Sequence, residues 1–189
     1  MRFVGIDPST KTGFVALDEH GQVLVQKELT GVGKVDPKRM RTMIVDIMAH
    51  IKEDDVIAIE GFGFASQQAV QNGGIGWGIR MALDGRKFNY IEVAPNAVKK
   101  YVNVSGWTGE KGKKQRLTGP QKKKAIMHAV FDHFDFQHKS DNVTDAYILA
   151  QIAMSYFMAL ETDSISLPIY QAEVIDTIFN PPQKKKAAK

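Results

Sequence analysis

Apolar runs of strand length open the chain. RFVGID at residues 2–7 and GFVALD at 13–18 flank a polar turn, and after DEHG the residues 23–29 alternate as a third run. Three such runs with tight connections predict an antiparallel meander. The period then changes. Asp36-Pro37 supplies a helix start, with Asp as N-cap and Pro in the first position, and Met40, Met43, Ile44, Ile47, Met48 and Ile51 recur at helical spacing. VIAI at 56–59 reads as a buried strand ending at Glu60. Residues 66–83 predict a helix despite Gly73, Gly74, Gly76 and Gly78. Each glycine costs about 1 kcal/mol against alanine in a helix interior, so a close backbone contact is expected to require them. Residues 88–93 give a fifth strand, and Pro95 opens a short helix containing Val98, Lys99 and Tyr101. The Gly- and Lys-rich stretch 105–120 reads as a loop, and helices follow over 121–134 and 141–160. From Glu161 onward the chain reads as an extension with one apolar element (ISLPIY) and a helical stretch before Pro181-Pro182.

This order predicts an α/β fold: a mixed five-stranded sheet, antiparallel meander plus parallel strands, with helices on both faces. One domain over residues 1–160 is expected, followed by a C-terminal extension with a basic tail over 161–189. The 189 residues, 43% hydrophobic, suffice for a real core and argue against disorder. The absence of cysteine excludes a disulfide framework or thiolate zinc site and favours a reducing compartment. No run of about 18 apolar residues occurs, and the Met1 end reads as a strand rather than a signal peptide. A cytoplasmic protein without a membrane partner is expected.

Charge is unevenly placed. Residues 95–125 hold nine Lys or Arg (Lys99, Lys100, Lys111, Lys113, Lys114, Arg116, Lys122, Lys123 and Lys124) against Glu110 alone, and the tail adds four lysines. With a net charge of +4, the rest of the chain is acidic. An acidic body with a concentrated basic segment is the footprint of a protein that meets a polyanion while keeping carboxylates elsewhere.

Asp7 and Glu60 each close an apolar strand. If those strands are parallel neighbours, both carboxylates project into the crevice where open α/β sheets bind ligands. Asp145 lies in register with Ile148, Leu149, Ile152 and Tyr156, on a stripe that must face the sheet, where an unpaired carboxylate is costly. Asp141 shares that face one turn earlier, and is also the natural cap of the helix. Carboxylates so gathered repel one another, by about 4 kcal/mol for two charges ~4 Å apart at an effective dielectric of ~20. Protonation or a divalent cation relieves this. All-oxygen ligation selects Mg²⁺ or Mn²⁺, and two such ions suit phosphodiester hydrolysis.

GIDPSTKTGFVAL, IAIEGFGFA, APNAVKKYV with the basic stretch after it, and DNVTDAYILAQIA together resemble the RuvC family of Holliday junction resolvases, over roughly residues 2–158. The resemblance implies a ribonuclease-H-like fold, with Asp7 and Glu60 as the first two metal ligands and Asp145 as the last. The family's remaining ligand usually stands three residues before the last, where this chain has Asn142; Asp141, one step earlier, is the favoured substitute. A homodimer making paired nicks across a four-way junction, with 5′-phosphate ends, is also implied. So are an aromatic near Glu60 that wedges into the junction, with Phe62 and Phe64 as candidates, and lysines at the scissile phosphate, matched by Lys99 and Lys122. The stretch 108–117 stands as an insertion between these lysines. Trp77 and Trp107 are expected as packing residues, Trp107 with a possible stacking role, and the five histidines form no ligand pattern.

Two other readings share features. GIDPSTKTG also resembles the first phosphate loop of the actin–hexokinase ATPase superfamily, but no second glycine-rich phosphate loop follows a later strand. Another ribonuclease-H-like nuclease, acting on branched DNA or an RNA–DNA hybrid, fits the same carboxylates.

Overall fold

The computed structural model describes residues 1–63, 68–110, 113–162 and 166–181. Five strands, β1 (Arg2–Asp7), β2 (Thr12–Leu17), β3 (Val23–Leu29), β4 (Asp55–Glu60) and β5 (Tyr90–Val93), form one sheet in the order β3-β2-β1-β4-β5. The meander β1–β2–β3 is antiparallel, β4 lies parallel to β1, and β5 lies parallel to β4. The mixed five-stranded sheet expected from the sequence is therefore present.

Period-two alternation sorts the strand side chains onto two cores. Val4, Ile6, Phe14, Ala16, Ile57 and Ile59 pack against α1 (Lys38–His50) and α2 (Ala69–Gly85). On the other face, Phe3, Val15, Leu17 and Ala58 pack with α3 (Pro95–Tyr101), α4 (Gly119–Phe134), α5 (Asp141–Glu161) and α6 (Ile169–Phe179). α5 is apolar and long enough to cross a membrane. Its composition has a simpler cause, because the sheet, α3, α4 and α6 all pack around it.

Several local expectations are corrected. α1 begins at Lys38, with Pro37 in the cap position, yet Asp36 still caps the helix by accepting from the Met40 N–H at 3.2 Å. The glycines of α2 do not share one reason. A Cβ on Gly78 would lie 2.4 Å from Ile44 Cδ1 and one on Gly76 would lie 3.0 Å from the Phe62 ring, whereas Gly73 faces open space. The stretch read as a loop contains a hairpin of β6 (Trp107–Thr108) and β7 (Gln115–Arg116), with Trp107 opposite Arg116. Strands of two residues are too short for alternation to reveal. α4 starts at Gly119, two residues early, because Thr118 and Gln121 form a capping box. In the extension, α6 buries Val174 and Ile175 in the α5 core, and Gln171 Nε2 donates to the Tyr101 carbonyl at 3.2 Å.

Candidate active site

The parallel pairing of β1 and β4 runs in register from Arg2 opposite Asp55 to Ile6 opposite Ile59, so the chain brings Asp7 and Glu60 side by side at the carboxyl ends of the strands. Asp7 lies two residues past Gly5, and Glu60 two past Ala58, so both point to the α5 face. Asp7 is buried; Glu60 is partly exposed. Their carboxyls lie within hydrogen-bonding reach of one another, an interaction that raises Asp7 and lowers Glu60. Arg80 fixes the end of β4 from the opposite face. It is 3% exposed, donates to the Glu60 carbonyl at 3.0 Å, and pairs with Glu92 Oε2 at 2.9 Å.

α5 reaches this pair because two strand positions lack side chains. A Cβ on Gly5 would stand 1.9 Å from the Ala146 carbonyl oxygen, and one on Gly13 would stand 1.9 Å from that of Asn142. Gly13 is paired with Asp7 across β1 and β2, so the first turn of α5 is pressed onto the sheet beside Asp7. This sets Asp145 and Asp141 within electrostatic reach of Asp7. Asn142 turns away, toward Glu28 on β3, which also accepts from the Ser140 hydroxyl. Between the two candidates for a fourth acidic position, Asp141 is the one facing the other carboxylates.

Electrostatics mark the cluster. Burial, then the charges of Glu60 and Asp145, hold the Asp7 carboxyl well above the usual carboxylate range. Burial also raises Glu60, opposed by the hydrogen bond from Asp7 and by the positive charge of Lys99. Asp145 is pushed up to about 7 by burial and then by Glu60 and Asp141, opposed by the positive charges of Lys99 and Lys123. Among the described residues no three acidic or histidine side chains stand as a ready-made metal site. The four expected acids are neighbours, not an assembled ligand set. The physical reason is visible in their partners: Asp7 lies within hydrogen-bonding reach of Glu60, and Asp141 is drawn to the Lys123 ammonium. The donor chemistry still fits a hard divalent cation, because all four groups offer oxygen and a cation would replace the protons that now relieve their repulsion.

The basic residues divide. Lys99 on α3 and Lys123 on α4 line a cavity of about 630 Å³ that opens over Glu60, together with Phe62, Trp77 and Arg80. Lys122 instead lines a second groove of about 310 Å³ with Lys99, Trp107 and Arg116. The lysine ion-paired at the carboxylates is Lys123; sequence position alone pointed to Lys122. Lys100 is engaged elsewhere, pairing with Glu173 of α6 at 2.6 Å. Lys113, Lys114 and Lys124 are exposed; Phe64 and Lys111 lie outside the described residues.

Phe62 is held in place, its ring 5.2 Å from Trp77 and 4.4 Å from the Arg80 guanidinium carbon. Trp77 and Trp107, expected as packing residues, are 56% and 55% exposed. Arg80 and Trp77 were missed as neighbours of the site, although their one-turn spacing along α2 was a usable signal once Glu60 had been singled out.

No protein-family model matches the chain, and no curated protein matches it in sequence. Solved structures do. The RuvC of T. thermophilus in complex with a Holliday junction substrate superposes with a TM-score of 0.57 at 13% identity, covering 85% of this chain and 96% of that one. A second structure of Thermus thermophilus RuvC gives 0.56 at 16% identity, with the same coverage. At such identity the likeness speaks for architecture, and it agrees with the sheet order and helix layers described above. The chain has a RuvC-like, ribonuclease-H-type α/β fold.

Proposed function

We propose that this chain is a divalent-cation-dependent endonuclease for branched DNA, a crossover junction endodeoxyribonuclease that resolves four-way junctions as a homodimer in the cytoplasm. The observation that carries the reading is the pair of protonation-shifted carboxyls, Asp7 and Glu60, at adjacent strand ends beneath Asp145. A stable protein core has no use for like charges gathered this way, whereas a site that takes up cations does. Asp7, Glu60, Asp145 and Asp141 are the residues to hold Mg²⁺ or Mn²⁺, two ions per site. When bound, such ions acidify water and stabilise charge on phosphate oxygens.

The chain's own residues do the rest. Lys99 and Lys123 border the carboxylates and offer cations to the non-bridging oxygens of the scissile phosphate. Hydrolysis joins the water oxygen to phosphorus as the bond to the 3′ oxygen breaks, leaving a 3′-hydroxyl and a 5′-phosphate. The neighbouring structure is a RuvC bound to a Holliday junction substrate, and that favours a four-way junction as substrate. A twofold dimer matches the symmetry of such a junction and places one site on each of two strands.

The test is incubation of the purified protein with a mobile four-way junction, a replication fork, linear duplex and an RNA–DNA hybrid, in Mg²⁺, Mn²⁺ or EDTA. Paired cuts confined to the junction, and absent in EDTA, are the expected result. Preferential cutting of the hybrid would move the chain to the ribonuclease H reading, and no cutting of any substrate would overturn the nuclease reading.

A further inference from the structure

Trp107 is out of place for a packing residue. It sits on the two-residue strand β6, directly opposite Arg116 on β7, with just over half its surface exposed. Local hydrogen bonds hold its backbone: the Ser105 hydroxyl accepts from the Trp107 N–H at 3.1 Å and donates to the Trp107 carbonyl at 2.7 Å, and the Leu117 N–H donates to the Gly106 carbonyl at 2.9 Å. A fixed backbone carrying an exposed indole is a platform rather than a frayed loop.

Its surroundings name the ligand class. The groove of about 310 Å³ beside the indole is walled by Lys99, Lys122 and Arg116, with Asn96 at its edge. Among the described residues Lys122 and Arg116 make no ion pair, whereas nearby Lys100 and Lys123 are taken by Glu173 and Asp141, and Lys99 lies within electrostatic reach of Glu60 and Asp145. Two cations free of ion pairs in the same groove as an exposed indole suit a partner that is both anionic and flat. A nucleotide with an unpaired base meets both demands, since each base has a π-face and each phosphate a charge. Lys99 also joins this groove to the larger cavity over Glu60, because it lines both.

We infer that the β6–β7 hairpin forms a second nucleotide subsite, in which Trp107 stacks an unpaired base of a DNA strand while Arg116 and Lys122 hold its phosphates and Lys99 passes the strand on to the carboxylates. This deepens the nuclease reading and rests on it for the link to the carboxylates, but base stacking can be tested without any cleavage.

The probe is a four-way junction with unpaired bases at its crossover, titrated in EDTA, with an abasic site moved one nucleotide at a time through the crossover. Trp107→Ala is expected to weaken junction binding roughly 5- to 150-fold, the range for losing one base–aromatic stack. Trp107→Phe should recover most of that loss, and fully paired linear duplex should bind Trp107→Ala and wild type alike. At one position the abasic substitution should cost wild type the same factor and cost Trp107→Ala nothing more. An equal loss on linear duplex, or abasic and Trp107→Ala losses that multiply at every position, would overturn the subsite. Either result stands apart from the nuclease reading, which is decided by cutting in Mg²⁺.

Discussion

The strands β1 and β4 lie side by side over their whole length, and their two ends treat charge in opposite ways. At the starting end, Arg2 and Asp55 face each other in register and form a two-pronged pair, Nε to Oδ1 at 2.8 Å and Nη2 to Oδ2 at 2.7 Å. The pair is almost closed to solvent, and its spare groups are used, since Arg2 also donates to the His50 carbonyl and Asp55 accepts from the Lys52 N–H. At the finishing end the same strands carry Asp7 and Glu60, two acids side by side whose burial opposes their ionisation. One end is complete within the chain. The other gathers acids whose ionisation the fold opposes, and on the proposed reading a cation would complete it.

That contrast can be broken from either end. The largest effect is expected at the acidic end, where Asp7→Asn or Glu60→Gln should lower junction cleavage by roughly 10³-fold or more. Both should leave junction binding in EDTA unchanged and raise metal-free stability at pH 8, because each removes a buried carboxyl that the fold holds above its ordinary ionisation range. Wild-type cutting by either variant, or a lower melting temperature in EDTA, would contradict the assignment. At the ion-paired end the sign reverses. Asp55→Ala strands a buried guanidinium and should cost about 3–5 kcal/mol of stability by chemical denaturation, with cleavage per folded molecule unaltered.

The smallest effect sharpens the comparison through pH. A carboxyl whose folded value is raised binds its proton more tightly in the native state, so the stability it permits is present at low pH and is lost as pH rises through the folded value. For Asp145, at about 7, the metal-free protein should lose up to about 1.4 kcal/mol between pH 6 and pH 8, with solvent at the carboxyl reducing the figure. Denaturation in EDTA across that range should show the decline. Asp145→Asn should make it shallower, and a stability that rises with pH would refute it.

Much of this was legible in the chain because alternation and helical period report burial directly. The five strands, the strand-end positions of Asp7 and Glu60, and the stripe carrying Asp145 all follow from period alone. What escaped depended on which neighbour arrives. Three consecutive lysines point about 100° apart around a helix, and only the burial of Ile126 and Val130 decides that Lys123 meets the acids while Lys122 turns to the groove. The tryptophans misled for a related reason: large apolar residues are usually buried, and nothing in their local pattern says that a surface was left open. α6 seemed peripheral because its docking partners, α3 and β5, lie far back in the sequence.

Gly5 and Gly13 act as a spacer gauge for the acidic cluster. With hydrogen in place of a methyl group at both positions, the helix bearing Asp145 rests at the least separation that the backbones allow. The distance from that acid to those on the strands is thus decided by two atoms that are absent, and enlarging either glycine to alanine would lift a whole row of chemistry off its base without touching a single acid.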